Sequence, residues 1–64
     1  MTFVDVEVHV DPETSLTFAL VTDGGRVIHV LHGEGTDPVK DARRRAVEWA
    51  RRNHYIVTNA RSAA

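Results

Sequence analysis

Thr2-Phe3-Val4-Asp5-Val6-Glu7-Val8-His9-Val10-Asp11 sets valine at four successive even positions and, after Phe3, a polar residue at every odd one. Alternation with period two places one face of a strand against a core and the other toward water. Asp11-Pro12-Glu13-Thr14-Ser15 follows as turn chemistry, because proline fixes φ and the Asp and Ser side chains bond nearby backbone. Leu16 to Thr22 then supplies a second strand and Asp23-Gly24-Gly25 a second turn. Arg26 to His32 makes a third strand, rich in β-branched residues.

The register of these strands is tested by asking which loop lengths bring the apolar faces together, since a slip of one residue sends every side chain to the opposite face. A five-residue first loop pairs Val10 with Leu16, Val8 with Phe18 and Val6 with Leu20. A three-residue Asp-Gly-Gly loop with a left-handed glycine pairs Leu20 with Ile28 and Phe18 with Val30. The expected core face is therefore Val4, Val6, Val8, Val10, Leu16, Phe18, Leu20, Ile28 and Val30.

Beyond Gly33-Glu34-Gly35-Thr36, Asp37 is suited to cap a helix and Pro38 to occupy its first turn, where its missing N–H costs nothing. Val39, Ala42, Ala46, Trp49 and Ala50 recur at helical spacing and form a stripe that is small apart from its tryptophan, suited to lying close on a sheet. Asn53 is a candidate left-handed stop. Tyr55 to Thr58 reads as a short fourth strand and residues 59–64 as a frayed tail. The expected architecture is α+β, a three-stranded antiparallel meander packed by one helix with a short fourth strand (βββαβ), in a single domain over residues 1–58.

A domain of 64 residues buries only about 60% of the surface its unfolded chain exposes, so its stability is marginal and self-association is expected. There is no cysteine, which removes disulfides and thiolate metal sites. The first ten residues lack the basic stretch and continuous apolar run of a secretory leader, and no segment approaches the roughly 20 apolar residues of a membrane span. The expected location is cytoplasmic. Arginine outnumbers lysine seven to one, a bias that fits a GC-rich bacterial or phage genome.

Charge divides the chain in two. Seven acidic residues against Arg26 give positions 1–37 a net of −6, and seven basic residues against Asp41 and Glu48 give the remainder +5. The overall −1 argues against general affinity for nucleic acid, while the basic half leaves a local patch available. On the helix, Lys40, Arg44 and Arg51 lie on one flank and Arg45 and Arg52 on the other, a possible nucleic-acid contact. The competing reading is a solvated face laced by four-residue pairs, Asp41 with Arg45 and Glu48 with Arg52.

On the expected register Ala19, Val21, Val27, His29 and Leu31 form a contiguous, charge-rimmed patch on the outer sheet face, as an interface does. Val21→Asp should then abolish association without unfolding the chain. The four histidines do not make a metal site: His29 and His32 point to opposite faces of one strand, and His9 and His29 are separated by the central strand. His32-Gly33-Glu34-Gly35 has neither Walker nor dinucleotide-fingerprint spacing. His32 and Glu34 could serve as an acid–base pair only in a pocket that one helix on a small sheet has little room for. No catalytic residue, metal or cofactor is expected.

The βββαβ order, with Gly33-Glu34-Gly35-Thr36-Asp37-Pro38 leading into an alanine-faced helix, resembles the truncated RNase H-like domain of HicB-type antitoxins. Asp41-Ala42-Arg43-Arg44-Arg45-Ala46-Val47-Glu48-Trp49-Ala50-Arg51-Arg52-Asn53 is also similar to the helix of a small bacterial βββαβ family of unknown function. Both resemblances cover roughly residues 16 to 58. The chain lacks the Pro-Gly-Cys-type stretch and the C-terminal DNA-binding segment of HicB-type proteins. It lacks the RNase H carboxylates too, with Asn59 where an acid would stand, so the resemblance implies a protein-binding module and no nuclease. The expectation is a small non-enzymatic interaction protein, a homodimer or a binder of another protein, acting as a regulator, inhibitor or phage-encoded host modulator. A nucleic-acid-binding protein using the basic helix is the alternative.

Overall fold

Val4, Val6 and Val8 lie fully buried along strand β1 (Thr2–Val10), as the alternation requires. The computed structural model describes the backbone of residues 2–63 and the side chains of residues 2–60. Strands β2 (Thr17–Asp23) and β3 (Arg26–His32) extend β1 as an antiparallel meander, followed by helix α1 (Pro38–Arg52) and strand β4 (Tyr55–Ala63). β4 runs parallel to β1 beside it, so the mixed sheet has the order β3-β2-β1-β4. The α+β class and the meander-plus-helix arrangement are those expected.

Asp37 caps the helix through its side chain, which accepts a hydrogen bond from the Lys40 N–H at 3.2 Å, and Pro38 opens the first turn. Ala42, Ala46 and Ala50 are fully buried, with Val39, Val47 and Trp49 packed around them. The helix can start this close to the sheet because residue 33 is glycine. A Cβ there would overlap the Pro38 carbonyl oxygen and come within 2.9 Å of the Ala42 Cβ. At the other end Asn53 has φ −97°, and it is His54, with φ +65°, that takes the left-handed conformation.

The register of β2 differs from the expectation by one residue. Ser15, with φ +60°, ends a tight turn in which its N–H donates to the Asp11 carbonyl (2.8 Å) and Asp11 Oδ1 accepts from the Glu13 N–H (2.9 Å). That leaves a four-residue loop, Pro12 to Ser15, and the Asp11 N–H bonds to the Leu16 carbonyl at 2.9 Å. Val6 therefore pairs with Val21, Val8 with Ala19 and Val10 with Thr17. Thr17, Ala19 and Val21 turn inward beneath the helix, and Leu16, Phe18 and Leu20 turn outward. The second turn also shortens: Gly24 and Gly25, φ +58° and +84°, form a two-residue hairpin loop closed by Asp23 and Arg26. An irregularity then leaves Ile28 over, because Thr22 pairs with Val27 and Val21 with His29.

Small side chains facing small side chains explain the choice. The fully buried core is Val4, Val6, Val8, Ala19, Val21, Ala42, Ala46 and Ala50, every member valine or alanine. An alanine-faced helix packs close only against a floor that is itself small, and Phe18 or Leu20 pointing inward would hold it off. Of the nine residues expected in the core, Val4, Val6 and Val8 are fully buried, and Ile28 packs against the cluster from a partly buried position. Val10, Leu16 and Val30 are exposed, and Phe18 and Leu20 are half-buried on the uncovered face.

β4 is longer than expected, since pairing with β1 continues past Thr58 as far as Ala63 opposite His9. Thr58 is the extra residue at a second irregularity, where Val4 pairs with Val57 and Asp5 with Asn59. Its hydroxyl donates to Asp5 Oδ1 at 2.8 Å and lies 3.2 Å from the Val4 carbonyl oxygen. Of the stretch expected to be a tail, only Ala64 lies outside the described residues.

Candidate interaction surface

With the helix on one side, the sheet shows its other face to solvent. Cross-strand register arranges that open face in rows: His9, Phe18 and His32 in one, Glu7, Leu20 and Val30 in the next, Asp5, Thr22 and Val27 in a third. Leu16 stands beyond the first row, next to Asp11, and Phe3 pairs with Ile56 at the far end. The apolar members are Phe3, Leu16, Phe18, Leu20, Val27, Val30 and Ile56. Phe3 and Leu16 are 58% and 59% exposed and Val30 43%. Both phenylalanines of the chain are thus outside, while among the described residues nothing larger than valine is fully buried inside.

Two polar side chains on this face, His9 and Asp5, have close side-chain neighbours. His9 stacks on Phe18 with ring centroids 5.7 Å apart, and its Nε2 lies 3.5 Å from Glu7 Oε2. Asp5 receives the Thr58 hydroxyl. The acids sit on β1, whereas Leu16, Phe18, Leu20 and Val30 run over β2 and β3, so the face is apolar on one side and acidic beside it.

Four of the five residues assigned to the outer face from the sequence lie on the helix side. Ala19 and Val21 are fully buried beneath α1, and Leu31 packs against the same cluster. His29 stacks on Trp49 at 4.1 Å and 9°, and Trp49 stacks in turn on Tyr55 at 5.7 Å. Val27 alone is exposed. The cause is the one-residue slip of β2, carried into β3. The signal that would have found the true surface is the contrast between Leu16, Phe18, Leu20 and Thr17, Ala19, Val21, read against the small helix stripe.

The second candidate surface is the helix. Asp41 gathers the nearby charge: its carboxylate accepts from the Glu34 N–H (2.8 Å), from Arg44 Nη2 (2.6 Å) and from Arg45 Nε (2.8 Å). The Glu34 backbone bond, then the Arg44 hydrogen bond, hold the Asp41 carboxyl below the ordinary carboxylate value, with burial opposing and the Arg45 charge assisting. Asp41, and after it Glu48, raise the Arg44 guanidinium above its ordinary value. Arg44 also reaches Glu48 at 3.4 Å and Arg45 reaches Glu34 at 3.3 Å. The Asp41–Arg45 pair is as expected; Glu48 pairs with Arg44 and not with Arg52. Lys40, Arg43, Arg44 and Arg51 surround Val47 and Glu48 in an open concavity of about 400 Å³, while Arg45 and Arg52 stand apart from it.

Three backbone donors around the start of the helix are already bonded within the chain. The Gly33 N–H bonds to the Thr17 carbonyl at 2.9 Å, that of Glu34 to Asp41, and that of Lys40 to Asp37. Among the described residues no group of three or more His, Asp or Glu side chains is placed to hold a metal ion, and no helix is long and apolar enough to cross a membrane. No family model, curated protein or solved structure matches the chain.

Proposed function

We propose that this chain is a non-enzymatic protein-interaction module whose working surface is the open sheet face. The observation that carries the reading is the distribution of side-chain size: the fully buried core is valine and alanine, with Ile28, Leu31, Trp49 and Tyr55 at its margin, while Phe3, Leu16, Phe18, Leu20, Val30 and Ile56 lie on the sheet face away from the helix. Apolar surface gains about 25 cal/mol for each Å² removed from water, and the cluster of Leu16, Phe18, Leu20 and Val30 on β2, β3 and the turn before them is an apolar patch of the kind that marks an interface. A regulator, inhibitor or phage-encoded host modulator is the class of protein this implies, and the resemblance to HicB-type antitoxin domains implies the same.

A second reading, nucleic-acid binding by the helix, is supported by the gathering of Lys40, Arg43, Arg44 and Arg51 around one concavity. Against it, Arg44 and Arg45 are already engaged by Asp41, and Trp49, the best stacking platform, is occupied by His29 and Tyr55. The two readings separate in a capture experiment with purified bait, comparing wild type, Val30→Asp and Arg51→Glu, each checked for a shielded Trp49. The sheet-face reading expects binding to be lost with Val30→Asp, kept with Arg51→Glu, and unmoved by nuclease or by raised salt. Loss with Arg51→Glu, nuclease sensitivity and a steep fall with salt would transfer the function to the helix.

A further inference from the structure

We propose that Asp23 is a modification site: its carboxyl condenses with the Gly24 backbone nitrogen to a cyclic imide, whose hydrolysis converts the residue to isoaspartate at the tip of the second hairpin.

The sequence selects the position. An Asp or Asn side chain closes this ring with the main-chain nitrogen of the next residue, and the Cβ of that next residue is the chief obstruction to the approach. Among the aspartates and asparagines, Asp23 alone precedes glycine. Asp11 and Asp37 precede proline, which has no N–H to give up. Asp5, Asp41, Asn53 and Asn59 precede Val6, Ala42, His54 and Ala60, each of which carries a Cβ.

The fold leaves the same position free to react. Asp5 receives the Thr58 hydroxyl, Asp11 the Glu13 N–H, Asp37 the Lys40 N–H and Asp41 the Glu34 N–H. Among the described residues no group bonds the Asp23 carboxylate. Asp23, Gly24, Gly25 and Arg26 are all exposed, and a Cβ built at either glycine would meet nothing within 4 Å. The ladder bonds of a two-residue loop belong to its closing pair, here Asp23 and Arg26, and leave the Gly24 N–H to solvent. Ring closure therefore requires only that this last, exposed rung open, a local event that costs far less than unfolding the chain.

The steps balance without an oxidant or a co-reactant other than water. The Gly24 nitrogen bonds to Asp23 Cγ, and its proton leaves with the carboxyl hydroxyl as water. Water then adds to one of the two imide carbonyls. Addition at Cγ breaks the new bond and restores aspartate. Addition at the main-chain carbonyl carbon breaks the original peptide bond, so the chain runs on through Cβ and Cγ and the former carbonyl becomes a free carboxylate. Net charge is unchanged, but the backbone is longer by a methylene. A two-residue loop fits only strands whose backbone meets it in register, so isoaspartate at position 23 unpairs Asp23 from Arg26.

The test is prolonged warm incubation of the full chain in near-neutral buffer, followed by peptide mapping with electron-transfer fragmentation and by labelling with an isoaspartyl carboxyl methyltransferase. Isoaspartate should grow in at position 23 ahead of every other Asp and Asn, preceded by a species lighter by a single water. Asp23→Asn should reach the same product faster, losing ammonia in place of water, and Asp23→Ser should accept no methyl label. The purified isoaspartate form should unfold at a lower urea concentration than the unmodified chain. Aspartate that stays intact at position 23 in the folded chain while the same chain converts in urea overturns the site, as does earlier isoaspartate at any other position. An unchanged urea midpoint overturns the opening of the hairpin.

Discussion

Asp41 ties the loop after β3 to the helix, binding the Glu34 N–H, Arg44 and Arg45 with one carboxylate. Because its carboxyl titrates lower in the folded chain than its ordinary 3.8, the folded state is favoured wherever the unfolded carboxyl is also ionised. That contribution is complete above 3.8 and is lost as pH falls through the lower, folded value. Asp41→Asn should lower the urea midpoint at neutral pH and should lose less of its remaining stability than wild type on acidification below 3.8. Parallel acid profiles for the two proteins would show that the knot is held by something else. Ser15 is the other decisive residue. Its left-handed backbone makes the first loop one residue shorter than turn-forming composition suggested, and Pro-Glu-Thr-Ser gives no notice of which residue takes that conformation, since the penalty for αL is only about 1–2 kcal/mol.

Among the elements, those governed by local chemistry were legible. Strands β1 and β3, the Asp37-Pro38 helix start and the alanine stripe stand where the sequence put them, and β2 lies one residue along from its expected place. The face assignment of β2 and β3 was not legible, because it is set by a contest between hairpin geometry and helix packing that neither strand records. The irregularities at Ile28 and Thr58 likewise break an alternation that pattern reading takes as continuous. This difference reverses the fate of Val21→Asp, which on the sequence register would have spared the fold. Val21 is fully buried, and an unpaired carboxylate there costs several kcal/mol, comparable to the roughly 5 kcal/mol that holds a small domain together. Val21→Asp should show no cooperative urea transition by circular dichroism and a solvent-exposed Trp49. A folded Val21→Asp would mean that β2 can slip one residue and present Leu20 inward.

At the scale of the whole molecule, β1 is the strand on which the rest depends. It pairs with β2 on one side and with β4 on the other, and the β4 partners lie more than fifty positions away in the chain, as the Thr58–Val4 contact with its separation of 54 illustrates. Pattern reading ended the last strand at Thr58, and the pairing of Asn59 to Ala63 with Asp5 to His9 is the part that a truncation isolates. Removing residues 59–64 leaves the helix, the meander and the Thr58 contacts intact, but turns the second half of β1 into an edge. The hydrogen bonds lost and the backbone entropy regained nearly offset each other, at about 1 kcal/mol per bond against 1–2 kcal/mol per residue. What remains is the β4 backbone withdrawn from beside Val6 and Val8, which leaves a newly unpaired strand edge that weakens the sheet and invites edge-to-edge association. The truncated chain should therefore unfold at a lower urea concentration, monitored by Trp49 fluorescence, and should aggregate at concentrations where the full chain does not. An unchanged midpoint would show that the second half of β4 rests on the sheet without supporting it, and that β1 is stable with one neighbour along its second half.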